Sequence, residues 1–178
     1  RALHLLRQAC GSLAEAHRRG LVHRDIKPEN LFVTTLGDTQ DFVKVLDFGI
    51  VGFAGATAPP AKAFESEGAL TVAGGLVGTP HYISPEAARG QATDARSDVY
   101  GLGAVLYFAL VGRPPFEAPA EWGLLRKHVE ETPTPPSQVL AARGGAALPA
   151  DLEAVVLRCL HKDPAARYAS AEELGAAL

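Results

Sequence analysis

The sequence predicts one mainly α domain that carries a single small β-hairpin, and three observations lead there. Two short runs rich in β-branched and aromatic residues, Leu31-Phe32-Val33 and Phe42-Val43-Lys44-Val45-Leu46, are separated by Thr34 to Asp41, which holds Gly37-Asp38 as a turn signal. From Asp94 onward the chain is helical in character, in four segments divided by proline-bearing breaks. A length of 178 residues with 47% hydrophobic and 21% charged residues suits one globule, which buries roughly two-thirds of its unfolded surface.

Each element has its own signal. Leu3, Leu6, Ala9, Leu13, Ala14 and Ala16 lie at helical spacings, and Gly20 stands where a C-terminal cap ends such a helix. The hairpin follows and presents Asp47 at its end. Gly49 to Gly78 is rich in Gly and Ala, contains Pro59-Pro60 and shows no periodicity, so it reads as a long loop of the kind that function usually explains. Helices are expected over Ser97 to Val111, Ala120 to Glu131, Ala150 to Leu160 and from Ser170 onward. The breaks are Pro114-Pro115, Pro133 to Pro136 and Pro164, and Glu130 to Gly145 is the best candidate for a surface insertion. No repeat and no linker between domains is visible.

Composition excludes several classes. A net charge of -3 gives no reason to expect nucleic acid. Cys10 and Cys159 are far apart in sequence and outside any C-x-x-C, which fits two reduced, buried thiols in a cytoplasmic protein. The longest apolar run, Val99 to Val111, is too short for a bilayer, which takes about 20 residues. With Arg1 first and no methionine anywhere, the chain is expected to be a fragment of a longer gene product. No lysine follows a glycine, so there is no Walker A loop, and the glycines at 49, 52, 55, 74, 75 and 78 make no G-x-G-x-x-G.

The chemistry is concentrated in His23-Arg24-Asp25-Ile26-Lys27-Pro28-Glu29-Asn30, followed seventeen residues later by Asp47-Phe48-Gly49. Phosphoryl transfer from ATP needs a carboxylate near the acceptor hydroxyl, a cation on the moving phosphate and oxygen ligands for Mg²⁺. Side chains at i and i+2 of an extended backbone share a side, so Asp25 and Lys27 can act together. Singly, each such residue is more often a cap or a solvated side chain; jointly, they form a specific constellation.

These residues resemble the H-R-D-x-x-x-x-N and D-F-G segments of the eukaryotic-like serine/threonine protein kinases of bacteria, and the resemblance covers essentially the whole chain. It implies the larger C-terminal lobe of an α+β fold, with the N-terminal lobe absent, a catalytic loop over 23–30, an activation segment over 47–86 and a helical part over 94–178. It implies ATP and Mg²⁺, with Mn²⁺ as an alternative, and protein substrates bearing serine or threonine. Asp25 would take the substrate proton, Lys27 would meet the transferring phosphate, and Asn30 and Asp47 would ligate the metal. Phe32 would floor the adenine site, and His23 and Phe48 would stack between the lobes. Thr79, in Gly78-Thr79-Pro80-His81-Tyr82-Ile83-Ser84-Pro85-Glu86, would bond Asp25 and Lys27. Ser84 replaces the alanine usual in A-P-E.

The resemblance further pairs Glu86 with Arg167, against the alternative of two separate surface charges. It hands Asp98 the backbone of the catalytic loop, against a plain helix N-cap. Arg24 would meet a phosphorylated loop, for which Thr71 and then Ser66 are the candidate acceptors. The competing reading is a truncated or pseudocatalytic lobe that docks partners. A small-molecule aminoglycoside-type phosphotransferase fits poorly, because such enzymes lack the docking segment at Gly78 to Glu86. An isolated C-terminal lobe would bind ATP weakly, turn over negligibly and expose apolar surface where its partner lobe belongs. A membrane tether outside the chain is compatible with cytoplasmic placement.

Overall fold

The computed structural model describes residues 1–48 and 80–178. The loop expected over Gly49 to Gly78 lies outside them, as do Gly49, Ser66, Thr71 and Thr79. Helix α1 (Ala2–Arg18) leads through Gly20, at φ 75°, into an irregular stretch and a 3-10 turn at Pro28–Asn30. Strands β1 (Leu31–Leu36) and β2 (Thr39–Val45) then pair antiparallel, Leu31 with Val45 and Val33 with Val43, with an irregularity between Thr34 and Leu36. Both strands extend past the predicted runs toward Gly37, whose φ of 56° closes the turn.

Among the described residues six α-helices follow: α2 (Pro85–Ala88), α3 (Ala95–Val111), α4 (Glu121–Glu130), α5 (Pro136–Ala142), α6 (Ala150–Cys159) and α7 (Ala171–Ala177). Helix α3 begins two residues before the predicted start, because Asp94 caps it by accepting from the Arg96 N–H at 2.8 Å. It is buried on nearly every side, with Val99, Tyr100, Leu102 and Ala104 fully inaccessible, so it forms the axis around which the other helices pack. Two of its glycines make this possible. A Cβ on Gly101 would stand 2.8 Å from Ile26 Cβ, and one on Gly103 would stand 2.3 Å from Cys159 Cβ.

Helix α1 lies against α7, β2 and α3, and thereby fastens the hairpin to the helical body. Gln8 reinforces this by accepting from Val43 N at 3.1 Å and donating to Asp41 O at 2.7 Å, as a neighbouring strand would. One expectation is corrected: Glu130 to Gly145 is not a simple surface insertion. It contains α5, whose Pro136 and Val139 are buried against the body. The prolines that signal a loop here instead start a helix, since proline is tolerated in a first turn. No described helix is long and apolar enough to cross a membrane.

Candidate phosphoryl-transfer site

Asp98 is the anchor of the site. Its carboxylate is 1% exposed and enters the core from the first turn of α3. A buried carboxylate must find donors, and it finds three. His23 N and Arg24 N donate to it at 2.8 and 2.7 Å, and His17 Nε2 lies 2.8 Å from Oδ2. The helix N-cap is Asp94, so Asp98 is spent on the loop rather than on its own helix. Arg24 sits at φ 68°, a left-handed conformation that a long side chain rarely adopts, and the two bonds from Asp98 hold the backbone there.

His23 is fully buried and joins the two halves of the site. Its Nδ1 accepts from Asp25 N at 3.2 Å, which leaves the Nε2–H to donate to Leu46 O at 2.8 Å. Its ring meets Phe48 with centroids 4.8 Å apart. Leu46 N in turn donates to Asn30 O at 2.9 Å, so the residue before Asp47 is tied to both ends of the loop. Asp47 itself has φ 52° and an exposed side chain.

Within the loop, Lys27 Nζ donates to Asp25 Oδ2 at 2.6 Å. Asn30, buried, donates through Nδ2 to Asp25 O at 2.8 Å and to Asp25 Oδ2 at 3.1 Å. Asp25 therefore presents an exposed carboxylate fixed from two sides, and the amide of Asn30 is oriented with its nitrogen inward. Asn30 Oδ1 and the exposed Asp47 carboxylate are oxygen donors of the kind that could hold Mg²⁺, which keeps waters and phosphate oxygens as its other ligands. Among the described residues no group of three or more His, Cys, Asp or Glu could cage a metal.

Glu86 and Arg167 form a buried pair. Arg167 Nη1 and Nη2 donate to Glu86 Oε1 and Oε2, each at 2.8 Å, and Ser97 Oγ donates to Oε1 at 2.6 Å. The remaining guanidinium hydrogens go to the carbonyls of His161, Arg96 and Lys162, so all five donors are used. Burial pushes the Glu86 carboxyl up, but the bonds from Arg167 and Ser97 and the Arg167 charge outweigh it and hold it below the ordinary carboxylate range.

Of the residues singled out in the sequence, Asp25, Lys27, Asn30, His23, Arg24 and Asp98 come together in one hydrogen-bonded unit, with Phe48 against His23. Glu86 and Arg167 form a second. Phe32 is 52% exposed on β1. Sequence reading missed His17. Its signal was position: it follows Leu13 by one turn on the buried face of α1, six residues before His23.

The protein kinase domain family matches residues 1–176. The chain is 42% identical over 178 residues to serine/threonine-protein kinase pkn3 of Myxococcus xanthus, covering 100% of this chain and 31% of that protein. It is also 42% identical over 179 residues to serine/threonine-protein kinase PknB of Mycobacterium tuberculosis, covering 100% of this chain and 26% of that protein. The chain thus spans about a third or less of the length of these relatives. Among solved structures, the PknI kinase domain of Mycobacterium tuberculosis superposes with a TM-score of 0.64 at 24% identity, over 99% of this chain and 52% of that one, a likeness of fold. With a domain match that runs almost end to end, the chain belongs to the protein kinase domain family.

Proposed function

We propose that this chain is the C-terminal lobe of a serine/threonine protein kinase, which in its intact form transfers the γ-phosphoryl of ATP to a protein hydroxyl. The observation that carries the reading is the Asp25, Lys27 and Asn30 unit suspended from Asp98. Asp25 is the base: exposed, held by Lys27 and Asn30, and positioned to orient the acceptor hydroxyl and take its proton. Lys27 exchanges its bond to Asp25 for one to the transferring phosphate as charge moves outward. Asn30 Oδ1 and the Asp47 carboxylate would hold Mg²⁺, which when bound neutralises the phosphate oxygens. Thr79 completes the acceptor side, and loop phosphorylation at Thr71 or Ser66 acts through Arg24. Placement in the cytoplasm, where ATP is available, follows from this reading.

The relatives' greater length and one feature of the surface support a second lobe outside this chain. Leu21, Phe32, Val33, Leu36 and Leu46 are all exposed on the hairpin and the chain beside it, next in sequence to the catalytic loop. A kinase needs a phosphate lid and a strand lysine as well. The chain alone therefore binds ATP weakly and turns over negligibly. The test is radiolabel transfer from ATP to a generic acceptor protein by the full-length enzyme and by its Asp25→Asn variant, with Mg²⁺ or Mn²⁺. A loss of about 10²- to 10⁴-fold supports the base role. Equal, negligible transfer by both would favour a lobe that only docks partners.

A further inference from the structure

A polar cavity lies away from the catalytic loop, between the end of α3, the end of α4 and the segment that enters α5. Its volume is about 200 Å³, and its lining includes Tyr107, Arg113, Glu117, Lys127, Glu131 and Thr134. The site has a donor without an acceptor. Arg113 Nε is buried and has no hydrogen-bond partner among the described residues, a costly state for a guanidinium N–H. Arg113 does reach Glu117, but at 3.5 Å and through Nη1, and Lys127 reaches Glu131 at 3.4 Å. Both glutamates are more than half exposed, so these are loose pairs that a better anion can displace.

Thr134 lines the same cavity and carries a hydroxyl that phosphorylation would turn into such an anion. It is exposed, flanked by Pro133 and Pro135, and its carbonyl is held by the Tyr107 hydroxyl at 2.9 Å. A residue before proline is biased to extended backbone, the form in which a chain enters an enzyme's cleft.

We propose that Thr134 is a phosphoacceptor, modified by a second copy of the same enzyme, and that Arg113 receives the phosphate. The proposal rests on the kinase reading above. In the transfer, Thr134 Oγ1 forms a bond to the γ-phosphorus of ATP. The bond from that phosphorus to the β,γ-bridging oxygen breaks, ADP leaves with the electron pair, and the hydroxyl proton passes to Asp25 of the other copy. The product phosphate accepts from Arg113 Nε–H and draws Lys127 from Glu131, which gives the orphaned donor its partner.

The experiment incubates full-length Asp25→Asn protein with catalytic amounts of the unaltered enzyme and ATP, and maps phosphate by mass spectrometry. Phosphate on Thr134, lost in Thr134→Ala, supports the proposal. Phosphate elsewhere with Thr134 clean, including on Thr132 alone, overturns it and leaves the kinase reading standing. No phosphate anywhere overturns both. The receiving role is read by ³¹P titration of the phosphorylated protein. The phosphothreonine midpoint, ordinarily about 6, is expected about one unit lower beside the guanidinium. It should return in Arg113→Ala and in Arg113→Gln, the second keeping a hydrogen-bonding side chain if the first unfolds. An unshifted midpoint in the unaltered protein defeats the pairing with Arg113.

Discussion

His128 is fully buried, with Tyr100 Oη 2.8 Å from its Nδ1 and the Phe116 ring edge-on at 5.0 Å. Burial, with the charges of Lys162 and His81 adding, pushes its imidazole down to about 3. The folded protein keeps it neutral, while the unfolded chain protonates near the ordinary value of about 6.5. Stability is therefore complete above about pH 6.5 and falls as pH drops toward 3, by up to about 1.4 kcal/mol per pH unit for one proton. Urea unfolding at pH 7.5 and pH 5 measures this, and His128→Gln should lose less than the unaltered protein. An equal loss in both would assign the slope to other groups. Asp98 makes a contrasting case, since its value lies in position. Asp98→Ala strands the buried N–H of His23, at about 1 to 3 kcal/mol, and frees the part-buried N–H of Arg24. The motif around Asp25 was legible because its residues are close in sequence, whereas His128 looked like any other histidine until the helices met around it.

Among the elements, the Glu86 and Arg167 pair ties α2 to the turn before α7, and Ser97 adds the start of α3. Removing one partner leaves a buried charge uncompensated, so Glu86→Gln is expected to cost about 3 to 5 kcal/mol by urea unfolding. The folded carboxyl lies below its ordinary range, so its contribution is present above about pH 4.3 and is lost as pH falls through the folded value. The gap between the unaltered protein and Glu86→Gln should accordingly narrow in acid. Helix α3 offers a packing test. Gly103→Ala places a methyl 2.3 Å from Cys159 Cβ, so α3 and α6 must move apart, at about 1 to 3 kcal/mol. Gly123→Ala, whose added Cβ would meet Ala118 Cβ at an ordinary 3.5 Å, is the control that escapes this clash. Helix boundaries were readable to within two residues where a cap residue stood, as at Asp94 and Ser170. Helix α5 was not, because a short run after two prolines carries no full helical period.

At the scale of the whole molecule, the exposed apolar side chains around the hairpin govern behaviour in solution. A surface of this kind binds hydrophobic dyes and other copies. The isolated chain is expected to bind such a dye and self-associate, and the full-length polypeptide to do both less. Equal dye binding and a monodisperse isolated chain would show that nothing needs to cover this face. The sequence alone determined the fold class, the hairpin and the loop constellation, because each is written in local spacing: period two, period 3.6, and a motif confined to eight residues. Only the tertiary structure decided what holds that motif in place. Asp98 lies 75 positions from His23 and Arg167 lies 81 from Glu86, and no periodicity links them. Their pairing follows from burial, since a charged group carried into the core by α3 or α2 survives only where the packed chain brings it donors.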